Sequence, residues 1–280
     1  MKQLFDEVSY NCSKLVTKKY STSFSLATKM LSPDIRPHIY NIYGFVRFAD
    51  EIVDTFHDYD KEALLNRFEK EYYVSKETGI SLNPILNSFI YTVEAFNISE
   101  DLVQAFLKSM RDDLYKTTYT TKEEYNAYIY GSADVVGLMC LKVFVKGDEQ
   151  KYEELKAPAM RLGSAFQKVN FLRDLKDDIE HLNRSYFPNV DLKKLDAKAK
   201  DEIINDIEAD FDFAYNNGIL KLPVEAKFGV FIAYRYYRKL LKKLKATPSS
   251  KIMDSRIRIS NPMKINLLAR SYVKYKLNLI

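Results

Sequence analysis

Gly163-Ser-Ala-Phe-Gln-Lys-Val-Asn-Phe-Leu-Arg-Asp-Leu-Lys-Asp-Asp178 is the stretch on which the fold turns. It holds no proline and its one glycine opens it, so its pattern predicts a helix. At 100° per residue, Gln167, Asn170, Asp174 and Asp178 share an arc of about 80°. Two amides and two carboxylates therefore line one stripe, and Phe166, Val169 and Leu172 cannot all join it. Asp and Asn are weak residues inside a helix because their side chains compete for backbone hydrogen bonds. Two readings account for them. One is a solvated acidic face, the usual fate of helix charges. The other is a set of oxygen ligands for a hard divalent cation such as Mg2+, which shares its sphere with substrate phosphates.

Upstream, Tyr43-Gly-Phe-Val-Arg-Phe-Ala-Asp-Glu-Ile-Val-Asp54 has the same arrangement. Tyr43, Arg47, Asp50 and Asp54 fall within about 60° on a helix. Again carboxylates stand at i and i+4, here with an arginine one turn earlier. Two such stripes facing each other across a cavity would hold cations between them. Arg47 would offer a planar fork to a phosphate oxygen.

Asp50-Glu-Ile-Val-Asp54 and Asn170-Phe-Leu-Arg-Asp174-Leu-Lys-Asp-Asp178 resemble the two aspartate-rich motifs of the squalene/phytoene synthases. These are head-to-head prenyltransferases that join two isoprenoid diphosphates. The likeness runs in motif order from about Tyr10 to Lys264. It implies an all-α fold over residues 1–280: one domain, an isoprenoid-synthase-type helical bundle around a central cavity.

Composition agrees with a helical protein. The chain has 280 residues with only 8 Gly and 8 Pro, and no Trp. Sparse Gly and Pro favour long helices over β-rich architecture. The net charge of +5 is mild. It suits an anionic substrate or membrane surface, and no nucleic-acid partner is expected. Cys12 and Cys140 offer neither a disulfide framework nor zinc spacing, which points to a reducing compartment. The N-terminal residues lack the apolar core of a signal peptide. The longest apolar run, near Val135–Val145, is too short to span a bilayer.

Taken in order, residues 3–20 read as a helix, and Ser32-Pro33-Asp34 as the start of another. Helices are expected over 60–78, from Asn83-Pro84, from Ser99, and over Leu155–Asp178 and Pro223–Lys245. Residues 191–216 read as a helix pair with Asp191 and Asp196 as caps. Between Tyr20 and Ser25, Ser21 and Ser23 read as helix N-caps. The resemblance instead makes them part of a diphosphate-binding stretch. Met110–Glu124 resembles the phytoene synthase pattern, with Asp113 as a structural carboxylate pairing with a basic neighbour. Tyr128–Gly137 matches a Tyr-rich, small-residue family helix, except that Asp134 stands where glycine is common. An unpaired buried Asp is costly, so Asp134 is expected to be paired or to face polar space. Arg184-Ser-Tyr-Phe-Pro188 matches the family's exit from the second motif. The basic end of the 223–245 helix reads first as a solvated face and second as a membrane-docking one.

The resemblance implies that Asp50, Glu51, Asp54, Asn170, Asp174 and Asp178 hold Mg2+, with Mn2+ as the alternative. It implies substrate contacts from Ser21, Ser23, Tyr43, Arg47, Gln167, Asn170, Arg256 and Lys264, and a catalytic tyrosine at Tyr236. The expected reaction joins two geranylgeranyl diphosphates to phytoene through a cyclopropylcarbinyl diphosphate, without NADPH. A C30 synthase acting on farnesyl diphosphate is the alternative. Thr28 falls at a position that is aromatic in a C30 enzyme and favours the longer tail, whereas bulky Tyr40 argues for the shorter one. The expected location is cytoplasmic, peripheral at the inner membrane face. Two rivals remain. A carboxylate-bridged di-iron bundle needs two Glu-x-x-His pairs, and His38, His57 and His181 complete none. A non-catalytic helical adaptor leaves the doubled acidic motif unexplained.

Overall fold

The computed structural model describes residues 1–182, 184–188 and 195–277, and these form fourteen α-helices with no named strand. In chain order they are α1 (Lys2–Tyr20), α2 (Thr22–Thr28), α3 (Arg36–Asp54), α4 (Lys61–Thr78), α5 (Pro84–Ala95), α6 (Glu100–Asp112) and α7 (Lys122–Ile129). There follow α8 (Val135–Val145), α9 (Glu149–Arg173), α10 (Leu175–Glu180), α11 (Ala197–Asn217), α12 (Val224–Ala246), α13 (Ser249–Asp254) and α14 (Asn261–Lys276). The all-α expectation holds.

The starts of these helices follow from local chemistry. Asp60, Asn83, Asp148 and Asp196 each accept a backbone N–H in the first turn of the helix that follows. Thr121 and Glu124 form a reciprocal capping box at α7. Two expectations change. The helix expected at Ser32-Pro33 begins at Arg36 instead, with Pro37 in its first turn. Arg36 donates back to the Leu31 carbonyl, so residues 32–35 close a turn. Residues 197–217 are one helix capped by Asp196; Asp191 lies outside the described residues.

α9 is the central element, packed against α8, α11 and α12. The main core joins α3, α5 and α6 through Phe45, Phe89 and Phe106, with the Phe45 and Phe89 rings stacked at 3.9 Å, and α8 adds Val135, Leu138 and Met139. A second cluster surrounds the far side of α9 with Phe171, Tyr186, Phe211 and Leu241. The α1 helix docks differently. It buries Ser9, Ser13 and Thr17, and Ser13 meets Ser88 of α5 at 2.8 Å. A buried ammonium, Lys200, donates to the Lys245 and Thr247 carbonyls and closes the C-terminal end of α12.

Between α7 and α8, Tyr130–Asp134 winds as a π-helix. Such one-turn π segments concentrate at functional sites. Asp134 is buried here and accepts a 2.7 Å hydrogen bond from Ser164 of α9, so it is paired. Burial still pushes its carboxyl up to about 7. The continuous run Lys122–Val145 is long and apolar enough to cross a membrane by composition, yet most of it is buried in the protein. It serves as a core helix.

Candidate active site

A cavity of about 280 Å³ lies among α2, α3, α8, α9, α11 and α12. Its walls are largely apolar, with Phe24, Val46, Phe144, Leu155, Phe166 and Leu222 among them. On one side the wall is a seam where two helical segments pack backbone to backbone. A Cβ on Gly137 would sit 3.0 Å from the Ala159 carbonyl oxygen, and one on Gly163 would sit 2.9 Å from that of Ala133. Only glycine allows backbones to approach so closely. Gln167, Tyr43 and Tyr237 bring polar atoms to the lining.

The acidic motifs stand near this polar part. On α3, Arg47 bonds both Asp50 and Glu51 and lies 4.4 Å over the Tyr20 ring. Asp54 is held by Arg184 at 2.7 Å. Across the cleft, the expected helix Leu155–Asp178 is interrupted. Asp174 has φ −99° and ψ 10°, ending α9 and opening α10. It takes Arg173 at 2.8 Å and Arg256 at 2.7 Å. The stripes do face each other. Asp178 is pushed up to about 8, first by burial and then by repulsion from Asp174 and from Asp54 of α3. Asp50 keeps a third of its side chain open to the cleft, yet desolvation and then Asp54 push it up to about 7. Among the described residues no three His, Cys, Asp or Glu side chains converge into a ready-made metal cluster.

Other expected residues also gather here. Ser21 caps α2 by accepting the Phe24 N–H, the ordinary helix-start geometry. Ser23 is half-buried on the same turn. Lys264 reaches from α14 to Thr22 at 2.6 Å. Tyr43 stacks on Phe24 at 4.8 Å, and burial pushes its hydroxyl up to about 12. Thr28 lines the cavity, its hydroxyl bonded back to the Phe24 carbonyl.

Two expectations are corrected. Tyr236 is buried away from the cavity, against α14, where its hydroxyl donates to the Lys264 carbonyl at 3.2 Å. Its neighbour Tyr237 lines the cavity, stacks on Phe166 at 4.1 Å and donates to the Asn170 side chain at 3.3 Å. One step along a helix turns a side chain by 100°, so adjacent tyrosines serve different faces. Tyr40 is likewise off the cavity wall, fully buried with its ring 6.3 Å from Tyr10 of α1.

Sequence reasoning gave no site role to Arg173 or Arg184. Arg173 abuts Asp174 because the helix breaks there, which periodicity does not show. Arg184 is placed by a short backbone pairing: Tyr119 N–H donates to the Ser185 carbonyl and Ser185 N–H to that of Thr117. Its guanidinium then meets Asp54, the Asp113 carbonyl and, at 3.9 Å, the Asp113 carboxylate. Asp113 thus has the basic neighbour expected for it.

Residues 17–262 match the family model described as squalene/phytoene synthase. The chain belongs to this family. Squalene/phytoene synthases are prenyltransferases that condense their substrates head to head. Phytoene synthase 1 of Solanum lycopersicum is 27% identical, the match covering 97% of this chain and 69% of that one. The 4,4'-diapophytoene synthase of Staphylococcus haemolyticus is 27% identical over 71% of this chain and 69% of its own. A dehydrosqualene synthase crystal structure with ligand superposes with a TM-score of 0.81 at 20% identity, covering 97% of this chain and 98% of that one. The family's fold is the helical bundle around a cavity described above.

Proposed function

We propose that this squalene/phytoene synthase condenses two molecules of geranylgeranyl diphosphate to 15-cis-phytoene, with Mg2+ and without a nicotinamide. The observation that carries this reading is the pair of facing acidic stripes beside an apolar cavity. The donor set suits a hard cation, being carboxylates and one amide oxygen. Burial first, and repulsion between the carboxylates second, raises Asp50 and Asp178, and a bound cation would offset both. Asp50, Glu51, Asp54, Asn170, Asp174 and Asp178 would hold Mg2+ shared with diphosphate oxygens, and the ion would supply charge neutralisation of the leaving pyrophosphate.

The chain's own groups do the rest. Arg47, whose buried Nε has no partner among the described residues, offers its positive charge to a substrate diphosphate. Arg256 and Lys264 add positive charge from the C-terminal segment. Loss of pyrophosphate from one substrate leaves an allylic cation; the second substrate's double bond attacks it, and loss of a proton to the departed pyrophosphate closes the ring of the cyclopropylcarbinyl diphosphate. Loss of the second pyrophosphate, rearrangement and loss of a second proton yield the linear hydrocarbon with no reductant consumed. The apolar walls exclude water that would quench the cations. The faces of Tyr43, Phe24, Phe166 and Tyr237 offer negative π density to them.

Chain length rests on the far wall. Between Gln167 and Leu155 the cavity follows α9 for twelve residues, about 18 Å at 1.5 Å per residue. Thr28 is small where a ring would shorten this space, and Tyr40 no longer argues against the longer tail because it lies outside the wall. The relatives include both phytoene and diapophytoene synthases, so the C30 reaction is the competing outcome. Offering both diphosphates, with and without NADPH, and identifying the hydrocarbon by mass spectrometry decides between them. A C40 product independent of NADPH is expected; preferential C30 product overturns the substrate assignment. Thr28→Phe is expected to shift the preference between the two diphosphates roughly tenfold toward farnesyl, the scale of apolar pocket discrimination.

Lipid substrates also fit a peripheral membrane position on the cytoplasmic side. Support comes from α14 rather than from residues 235–245, where Arg238 pairs with Asp212 and Lys245 with Glu208. Along α14, Lys264, Arg270, Lys274 and Lys276 stand with no Asp or Glu among them. Ile265 and Val273 are exposed on that helix, and Leu277 is exposed just past its end. A basic helix with such exposed apolar residues suits an anionic lipid surface. Release from anionic vesicles by high salt or carbonate is expected; retention through both contradicts peripheral attachment.

A further inference from the structure

Arg184 is buried with two carboxylates in reach. Its Nη1 holds Asp54 at 2.7 Å, and Asp113 waits at 3.9 Å. The two acids differ in setting. Asp54 opens to the cleft over 28% of its side chain, whereas the Asp113 side chain is only 3% exposed. One Asp113 oxygen accepts the Tyr128 hydroxyl at 2.9 Å; the other, Oδ1, is buried with no hydrogen-bond partner among the described residues. A buried carboxylate oxygen left unpaired costs free energy, and this one faces a guanidinium about 1 Å beyond hydrogen-bond reach. The guanidinium is already anchored there, because its Nη2 donates to the Asp113 carbonyl at 2.8 Å. A small rotation about that anchor exchanges one carboxylate for the other.

We propose that Arg184 alternates between Asp54 and Asp113, and that Asp113 is a positioning residue which takes up the guanidinium when Asp54 turns to a cation. This rests on the metal role given to Asp54 under Proposed function. Without Asp113, release of Asp54 would leave the buried Arg184 guanidinium with no carboxylate within 4 Å among the described residues, a costly state. Asp54 would then be held back from the cleft. Asp113 never touches substrate or cation in this scheme.

The test uses the full chain, with Mg2+ and inorganic pyrophosphate as the probe and thermal stabilisation as the readout, so that turnover is not required. Asp113→Asn keeps the shape and the Tyr128 contact but removes the charge. The Mg2+ concentration for half-maximal stabilisation is expected to rise about tenfold, the scale of losing an outer partner of a metal ligand. Asp113→Glu restores the charge and is expected to recover much of the affinity. In an Arg184→Gln background, Asp113→Asn is expected to add no further loss, because the two side chains act as one unit. An unchanged Mg2+ requirement in Asp113→Asn, or an equal loss in the Arg184→Gln background, overturns the proposal. If Asp113→Asn does not fold, Arg184→Lys takes its place. An ammonium cannot hold a carbonyl and a carboxylate through one planar fork, so the same tenfold loss is expected, and wild-type affinity overturns the proposal. A wild-type chain that Mg2+ and pyrophosphate fail to stabilise overturns the metal reading itself; a normal wild-type response with unaltered variants overturns only the role of Asp113.

Discussion

On α3, Asp50 and Asp54 ride one uninterrupted helix, and their partners are Arg47 one turn earlier and Arg184 from a distant loop. Across the cleft, Asp174 and Asp178 straddle a helix break, and Asp174 draws on its own neighbour Arg173 and on Arg256. On a regular helix, side chains at i and i+1 do not face each other. The contact between Arg173 and Asp174 exists because the backbone leaves the helix at Asp174. The first stripe is therefore rigid and answers to the core. The second is jointed and answers to the C-terminal segment, which also holds α10 through Lys176 and the Asp254 carbonyl.

The hardest blow to this pairing is removal of one acid from each side. Asp50→Asn and Asp174→Asn are each expected to lower kcat by roughly 10³-fold, the scale of losing a preorganised electrostatic contact. Circular dichroism should show the helices intact. Near-normal turnover of either variant in chelator-treated, Mg2+-restored buffer would break the equivalence of the stripes.

A smaller effect distinguishes the jointed side. Arg256→Gln leaves Asp174 with Arg173 alone, and KM for the diphosphate is expected to rise about tenfold, as for loss of a charge-assisted contact worth about 1.5 kcal/mol. Steady-state kinetics would show it. A fall in kcat at unchanged KM would mean that Arg256 acts after binding instead.

The pH dependence of stability sharpens the comparison. Asp50 at about 7 and Asp178 at about 8 both lie above their ordinary value near 3.8. Between those values the folded chain holds protons that the unfolded chain has lost, so stability is greatest at the acid end and is lost as pH rises through the folded pKa. In chelator, the melting temperature is expected to fall as pH goes from about 5 to 8. Asp50→Asn should remove part of that slope below about 7, and Asp178→Asn part of it up to about 8, while Asp134 and Asp113, likewise raised to about 7 and about 8 by burial, keep contributing. A melting temperature that rises over this window would contradict the arrangement.

The least effect is expected from the adjacent tyrosines. Tyr237→Phe removes the Asn170 contact and should slow turnover a few-fold, as for a neutral hydrogen bond worth about 1 kcal/mol. Tyr236→Phe should leave turnover unchanged and lower the melting temperature slightly. The reverse result would return the catalytic role to Tyr236.

These contrasts also mark how far the amino-acid order could be read. Asp50, Asp54 and Arg47 were legible because α3 is a regular helix whose angular arithmetic holds over its full length. The facing of Asp178 toward the first stripe was legible for a related reason, since α10 resumes a helical path after Asp174. The break at Asp174 was not legible, because the sequence there has neither proline nor glycine. Arg184 lay beyond reach as well: its partner is 130 positions away, and the backbone pairing that places it spans two loops. Tyr236 and Tyr237 differ only in which face of α12 they occupy, and both faces of that helix are packed, so periodicity had no polar side to choose by. Helix starts were clearest where Asp, Asn or Thr caps them, and least clear at Ser32-Pro33, where a turn uses the same residues.

The main-chain wall made by Gly137 and Gly163 has an evolutionary consequence. Side chains can be exchanged one at a time, but a wall of backbone has nothing to exchange, and any side chain added there meets a carbonyl oxygen before it meets the cavity. A lineage of such enzymes that lengthens or shortens its product must therefore work through lining side chains elsewhere, such as Thr28, Phe144, Leu155 and Leu222. The reachable products are then a short series of tail lengths, built past a glycine seam that stays unchanged.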